Sequence, residues 1–347
     1  MARLIGYGAY NLCFDRDLGA QSGQPNFFQS IHNGGWPVNL MKIICYRNAT
    51  QEGLPLGDPR TIQLYRPSGE INGYFLDNLV KLVQTARPLG FTVQICVFSY
   101  HSVARDEAPN PLPAVLARGA SETKCNYFKR FFSLSDPGVV AEQEKLVRTL
   151  VNQLRVSGNL YDHVIWELAN EVRCDICGTG NAGANCTLVP WLNHMATIIR
   201  DTARGIPTTI LTSTGVYFDS NPNQPGAKNE KMTFDKNRPA DGCANPALVP
   251  DLFDLHSGQW DAGKITAGDM IRNGVKMRFQ PYGYPNPMFI INTDGIDDSL
   301  LTKANISFWA KAAFQTGYHF ACKAQYPPEP YNTAVLDALK AANAAVP

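Results

Sequence analysis

Eight short apolar runs, separated by stretches with helical spacing, alternate along the 347-residue chain. The runs are Leu4–Tyr10, Leu40–Tyr46, Phe91–Phe98, Val164–Leu168, Thr208–Thr212, Leu252–His256, Met288–Asn292 and Tyr318–Lys323. Between or after them, Asn26–His32, Tyr74–Arg87, Val139–Leu154, Trp191–Arg204, Leu300–Gln315 and Thr333–Ala345 place apolar residues along one side of a helix. A strand that returns through a helix pairs with its neighbour in parallel. Eight such units describe one (β/α)8 TIM barrel over residues 1–347. A doubly wound open sheet also alternates, but its first turn would often be a glycine-rich phosphate loop opening a helix. Here Gly6-Tyr7-Gly8-Ala9-Tyr10 lies inside the first run, which argues against a dinucleotide site.

Composition narrows the function classes. The chain is 44% hydrophobic and carries 31 basic against 30 acidic residues, with no basic run. Nucleic acid and membrane surfaces are therefore poor default partners. No apolar stretch approaches a bilayer span. Three loops are long: Ser99–Asp136, Arg173–Pro190 and Gly215–Pro250. They follow the third, fourth and fifth strands and so share one face of the barrel, where long loops shape a substrate site.

The most telling stretch is His163–Glu171, HVIWELANE. Its apolar run ends on Asn170-Glu171, at the carboxyl end of a strand, where barrels perform chemistry. An amide beside a carboxyl can hold a hydroxyl while its neighbour moves a proton. A capping Asn-Glu at a strand–helix junction is the alternative reading of that pair alone. Other strand ends are also polar: Arg47 after the second, His101 after the third, His256 and Trp260 at and beyond the sixth, Asp294 after the seventh.

This order resembles the clan A glycoside hydrolases, the (β/α)8 retaining glycosidases that include the cellulase-like family 5. VIWELANE and FIINTDG carry most of the likeness. The resemblance implies a single-domain glycosidase that cleaves a β-linked glycan, with Glu171 as acid/base and Asp294 as nucleophile. It implies that Arg47 keeps Asp294 ionised, that Asn170 grips the hydroxyl beside the reacting carbon, and that His101 and His256 bond sugar hydroxyls or orient the carboxylates. Trp260 suits sugar stacking, whereas Trp166 and Trp191 read as core. No cofactor or metal is implied, and a monomer acting on an oligo- or polysaccharide is expected.

Three positions depart from the family pattern. Asp294 stands where the clan has Glu, drawing the carboxyl back by roughly 1.5 Å. In a frame built for about 5–5.5 Å separation, that approaches the wider inverting spacing. Gly258 replaces a Tyr two residues after the strand-six His. The Trp expected after strand eight is absent, leaving Gln325 or Tyr326 to substitute. A glycan-binding barrel that no longer cleaves is thus the second reading. A metal-dependent hydrolase using His101, His256 and Asp294 is the third, although no H-x-H pair marks the first strand.

The nine cysteines divide in two. Cys13, Cys45, Cys96 and Cys322 lie in apolar runs and read as buried thiols. Cys125, Cys174, Cys177, Cys186 and Cys243 lie in Gly/Asn/Pro-rich loops, where disulfides are favoured over a zinc site. An oxidising compartment, secreted or periplasmic, is the matching expectation. The opening MARLIGYGAY has no signal-peptide layout, so a leader removed beforehand or a cytosolic location both stay open.

Overall fold

The computed structural model describes residues 3–20, 24–47, 61–99, 102–103, 108–170, 188–214, 251–256, 280, 283, 288–293, 301–322 and 333–346. All eight expected strands form: β1 (Ile5–Gly8), β2 (Leu40–Ile44), β3 (Thr92–Ser99), β4 (Val164–Asn170), β5 (Thr209–Thr214), β6 (Leu252–His256), β7 (Phe289–Asn292) and β8 (His319–Cys322). They pair in parallel and in chain order, and β8 returns to β1 through Gly6 opposite Ala321, closing the barrel.

Helices among the described residues are α1 (Phe27–Asn33), α2 (Gly73–Ala86), α3 (Lys124–Phe131), α4 (Pro137–Val156), α5 (Leu188–Ala203), α6 (Lys303–Gln315) and α7 (Thr333–Ala344). Their starts are written locally. Asn26 and Gln29 form a reciprocal capping box on α1. Asp136 accepts from the Gly138 and Val139 amides at the head of α4, and Pro137 occupies its first turn, where no N–H is needed. None of these helices is long and apolar enough to cross a membrane.

Two expected loops contain helix. The segment Ser99–Asp136 holds α3, and α5 starts at Leu188, inside the stretch Arg173–Pro190. Thr123 caps α3 through the Asn126 amide. That helix buries Tyr127, Phe128 and Phe131, with Phe131 packed on Tyr46 and Phe98. Aromatic burial, which is independent of sequence periodicity over so short a span, stabilises what composition reads as loop. The Gly215–Pro250 segment lies outside the described residues.

The barrel interior is layered. Leu4, Leu40, Ile165, Leu252, Ile290 and Ala321 make an apolar floor. Gly6 belongs to this level because a Cβ there would sit 2.7 Å from the Ala321 Cβ. Two residues further along the strands, the period of the pleat lifts the same face by one storey. That storey holds Lys42, Gln94, Glu167, Asp254 and Asn292, all buried. Trp166 on β4 and Trp191 on α5 are fully buried, as expected. The Trp191 indole donates to Gln143 and its ring packs edge-on against Phe98 and Phe132.

Candidate active site

The polar storey centres on the Lys42 ammonium. Its Nζ lies 3.0 and 3.1 Å from the two carboxylate oxygens of Glu167, 2.7 Å from Asn170 Oδ1, 3.3 Å from Asp254 Oδ2 and 3.3 Å from His256 Nε2. The Gln94 amide donates to both Glu167 Oε2 (2.9 Å) and Asp254 Oδ2 (3.0 Å). Asn292 Nδ2 reaches Asp254 Oδ2 at 3.3 Å. Strands β2, β3, β4, β6 and β7 are thereby tied through one network.

Each group has a cause in the sequence. LMKII, VQICV, IWELA and LFDL each set one polar residue among apolar ones at an inward position. Such a residue must find its partners inside the barrel. Burial by itself would raise the Asp254 carboxyl, but the charges of Lys42 and His256, with the Gln94 amide, outweigh it and hold Asp254 well below the usual carboxylate range. The Cys96 thiol, fully buried beside Glu167, is pushed up and stays protonated. Glu167, Asp254 and His256 offer ligand-type atoms within 4.8 Å of one another. The Lys42 ammonium sits within hydrogen-bond reach of all three, so the cation of this trio is the protein's own.

Glu167 and Asn170 are three residues apart, yet both touch Lys42. A regular strand would aim them at opposite faces, so β4 breaks its alternation between them. That break delivers Asn170, the last residue of β4 and paired with Ser99 in the ladder, into the barrel mouth. The strand therefore runs two residues past the expected end at Leu168.

Of the site residues read from the sequence, the structure brings Asn170 and His256 onto this one cluster. Arg47 lies just beyond β2, its guanidinium over the Tyr10 ring at 5.9 Å. Tyr10 in turn packs with Ile44 and Cys96 above the polar storey. Glu171, His101, Trp260, Asp294 and Tyr326 lie outside the described residues. Lys42, Gln94, Glu167 and Asp254 were not singled out by sequence reasoning. The available signal was one polar residue centred in each of four apolar strands.

The four thiols of the apolar runs, Cys13, Cys45, Cys96 and Cys322, are free and buried. Among the loop cysteines only Cys125 is described, in the first turn of α3. Cys174, Cys177, Cys186 and Cys243 lie outside the described residues, and with them the choice between disulfides and zinc.

No family model matches the sequence, and no curated protein matches it. Solved structures do. The endo-1,4-β-mannanase from Rhizomucor miehei superposes with a TM-score of 0.66 at 13% identity, covering 99% of this chain and 94% of that one. The endo-β-1,4-mannanase from Thermotoga petrophila gives 0.60 at 13%, covering 99% and 77%. A GH5-4 broad specificity endoglucanase from an uncultured bacterium gives 0.60 at 14%, covering 99% and 94%. What the chain shares with these enzymes is the fold, a (β/α)8 barrel. The likeness read from the strand ends therefore extends to the whole barrel in space, at identities where only architecture is shared.

Proposed function

We propose that this protein is a glycoside hydrolase that cleaves a β-linked oligo- or polysaccharide with retention of configuration. Glu171 serves as acid/base and Asp294 as nucleophile. The observation that carries this reading is the convergence at the barrel mouth. Asn170, the last residue of β4, and His256, the last of β6, meet one buried polar cluster, and Glu171 follows Asn170 directly in the chain. Asn292 joins the same cluster two residues before Asp294. The fold likeness to β-mannan- and β-glucan-cleaving enzymes supports the substrate class.

The chemistry runs in two displacements. Glu171 protonates the leaving oxygen while Asp294 meets the oxocarbenium-like centre, and Glu171 then takes a proton from the water that releases the sugar. Asn170 donates to the hydroxyl beside the reacting carbon, His256 and His101 orient the sugar and the carboxylates, and Arg47 keeps Asp294 ionised. Trp260 and Tyr326 supply stacking surface. Disulfides among the loop cysteines would match action outside the reducing cytosol. The test is hydrolysis of a panel of β-mannans, β-glucans and aryl β-glycosides, with the anomeric form of the first product followed by NMR. A β-anomer as first product supports retention. An α-anomer overturns the nucleophile assignment, and no cleavage of any substrate overturns the enzyme reading.

A further inference from the structure

Lys42 has no acceptor atom, so each group facing its ammonium must present a lone pair. This fixes the Asn170 side chain, whose amide orientation is otherwise ambiguous. Asn170 faces Lys42 at 2.7 Å, which makes the contacting atom Oδ1 and turns the amide nitrogen away from the cluster. That nitrogen has no partner among the described residues. His256 Nε2 faces both the Lys42 ammonium at 3.3 Å and the Asn292 amide at 3.4 Å. The same nitrogen lies 3.3 Å from Asp254 Oδ2, which ties the ring into the network. The ammonium itself is held by the Glu167 and Asp254 carboxylates, at 3.0 and 3.3 Å. It is buried, with a side chain only 4% exposed, and cannot swing to another position without leaving both carboxylates unpaired.

We propose that Lys42 is a positioning residue for glycan cleavage: its ammonium locks the Asn170 carboxamide with the NH2 group presented to the sugar hydroxyl beside the reacting carbon. Without it, the amide of Asn170 is free to rotate by half a turn and to offer an oxygen where a donor is needed. The inference rests on the glycosidase reading above and extends it to a residue one storey beneath the mouth. Glu167 and Asp254 serve the same end indirectly, by holding the ammonium in place.

The test uses the aryl β-glycoside that the protein hydrolyses best, paired with its 2-deoxy counterpart. The ratio of kcat/KM for the two reports what the 2-hydroxyl contact contributes, and comparing that ratio across variants cancels the intrinsic reactivity of the 2-deoxy sugar. Hydroxyl contacts of this kind strengthen in the transition state, so the parental ratio should exceed that of Asn170→Ala by roughly 10- to 100-fold. Lys42→Met should collapse the ratio to the Asn170→Ala value, and adding Asn170→Ala to it should lower the ratio no further. Glu167→Gln, which keeps the ammonium, should retain most of the parental ratio. If Lys42→Met does not fold, the charge-free triple variant Lys42→Met, Glu167→Gln, Asp254→Asn leaves no unpaired charge and should lose the ratio in the same way. A Lys42→Met or triple variant that slows both substrates equally, with the ratio preserved, overturns the positioning role but not the glycosidase reading. A parental protein that cleaves no glycoside overturns that reading and this inference with it.

Discussion

Lys42 Nζ on β2 lies 2.7 Å from Asn170 Oδ1 at the end of β4, so a contact across the barrel interior joins a buried charge to the residue that precedes Glu171. The cluster around it sets two carboxylates, Glu167 and Asp254, against one ammonium. The imbalance decides which substitution is tolerated.

Lys42→Met leaves Glu167 and Asp254 buried without a counter-charge and should cost about 3–5 kcal/mol. Glu167→Gln leaves a balanced Lys42–Asp254 pair and should cost less, about 1–3 kcal/mol. Urea midpoints at neutral pH give the order. The deficit of Lys42→Met should also shrink as pH falls toward 5. Without the ammonium, burial raises the Asp254 carboxyl, which then takes up its proton at higher pH than in the unfolded chain, so acid favours the folded variant. A larger loss in Glu167→Gln than in Lys42→Met would contradict the charge balance.

How much of this was legible in the sequence follows from the same residues. The eight strands could be read because each is an apolar run framed by helical periodicity, and the barrel follows from their number and alternation. The polar storey could have been found but was passed over: Lys42 in LMKII looks like one stray charge until four neighbouring strands show the same interruption. The helix α3 could not be read from periodicity over eight residues, since tertiary packing of Phe131 on Tyr46 and Phe98 decides it. The inward turn of Asn170 was also hidden, because a break in strand alternation depends on what the far side of the barrel offers, here the ammonium of Lys42.

Gly6→Ala tests the floor. A methyl group there would meet the Ala321 Cβ at 2.7 Å and a Leu40 methyl at 3.1 Å. The Ala321 contact lies where β1 and β8 close the barrel and cannot be relieved by a rotamer change. A loss of about 1–3 kcal/mol is expected, the range for overpacking a filled interior. Adding Ala321→Gly should recover part of it. Equal stability of Gly6→Ala and the parent by denaturant midpoint would show that the strands can spread.

His319 makes stability depend on pH at the opposite end from the mouth. Its Nδ1 accepts from the Leu4 amide at 3.0 Å, which needs the neutral ring. Burial, with nearby positive charge that includes Arg3, pulls its pKa down to about 4. The unfolded imidazole titrates near 6.5. The native state is therefore favoured in full above about pH 6.5 and loses stability progressively as pH falls toward 4, by roughly 2–3 kcal/mol in all. His319→Asn, which can still accept from Leu4 but does not titrate, should flatten this part of the curve. Stability measured at pH 7.5 and pH 4.5 for both proteins settles it; identical slopes would remove His319 as the cause.

Glu171→Gln removes the proton that a poor leaving group needs. Turnover of a natural glycan should fall roughly 10²–10⁴-fold. Aryl glycosides with acidic leaving groups should suffer less in the first displacement, because they depart without protonation. The expected signature is therefore a slope against leaving-group pKa that is steeper in the variant than in the parent. Parental rates on a natural glycan would exclude Glu171 from the role.

Asp294 is the sharpest departure from the clan A pattern that the strand ends resemble, and its own length decides the outcome. If the barrel keeps a gap fitted to Glu, Asp294→Glu restores the separation of about 5–5.5 Å that retention needs and raises activity on β-glycosides. If the backbone has moved inward to suit Asp, the extra methylene clashes and activity falls. Asp294→Asn should abolish turnover in both cases, since a neutral amide neither attacks the sugar nor stabilises the cation. Rates for the three proteins on one aryl β-glycoside give the contrast. Unchanged hydrolysis by Asp294→Asn would transfer the role to another carboxylate, with Asp297 and Asp298 next along the chain. Glycan binding without turnover in any form, by calorimetry on mannan and glucan oligosaccharides, would instead make the barrel a binding protein built on a glycosidase frame.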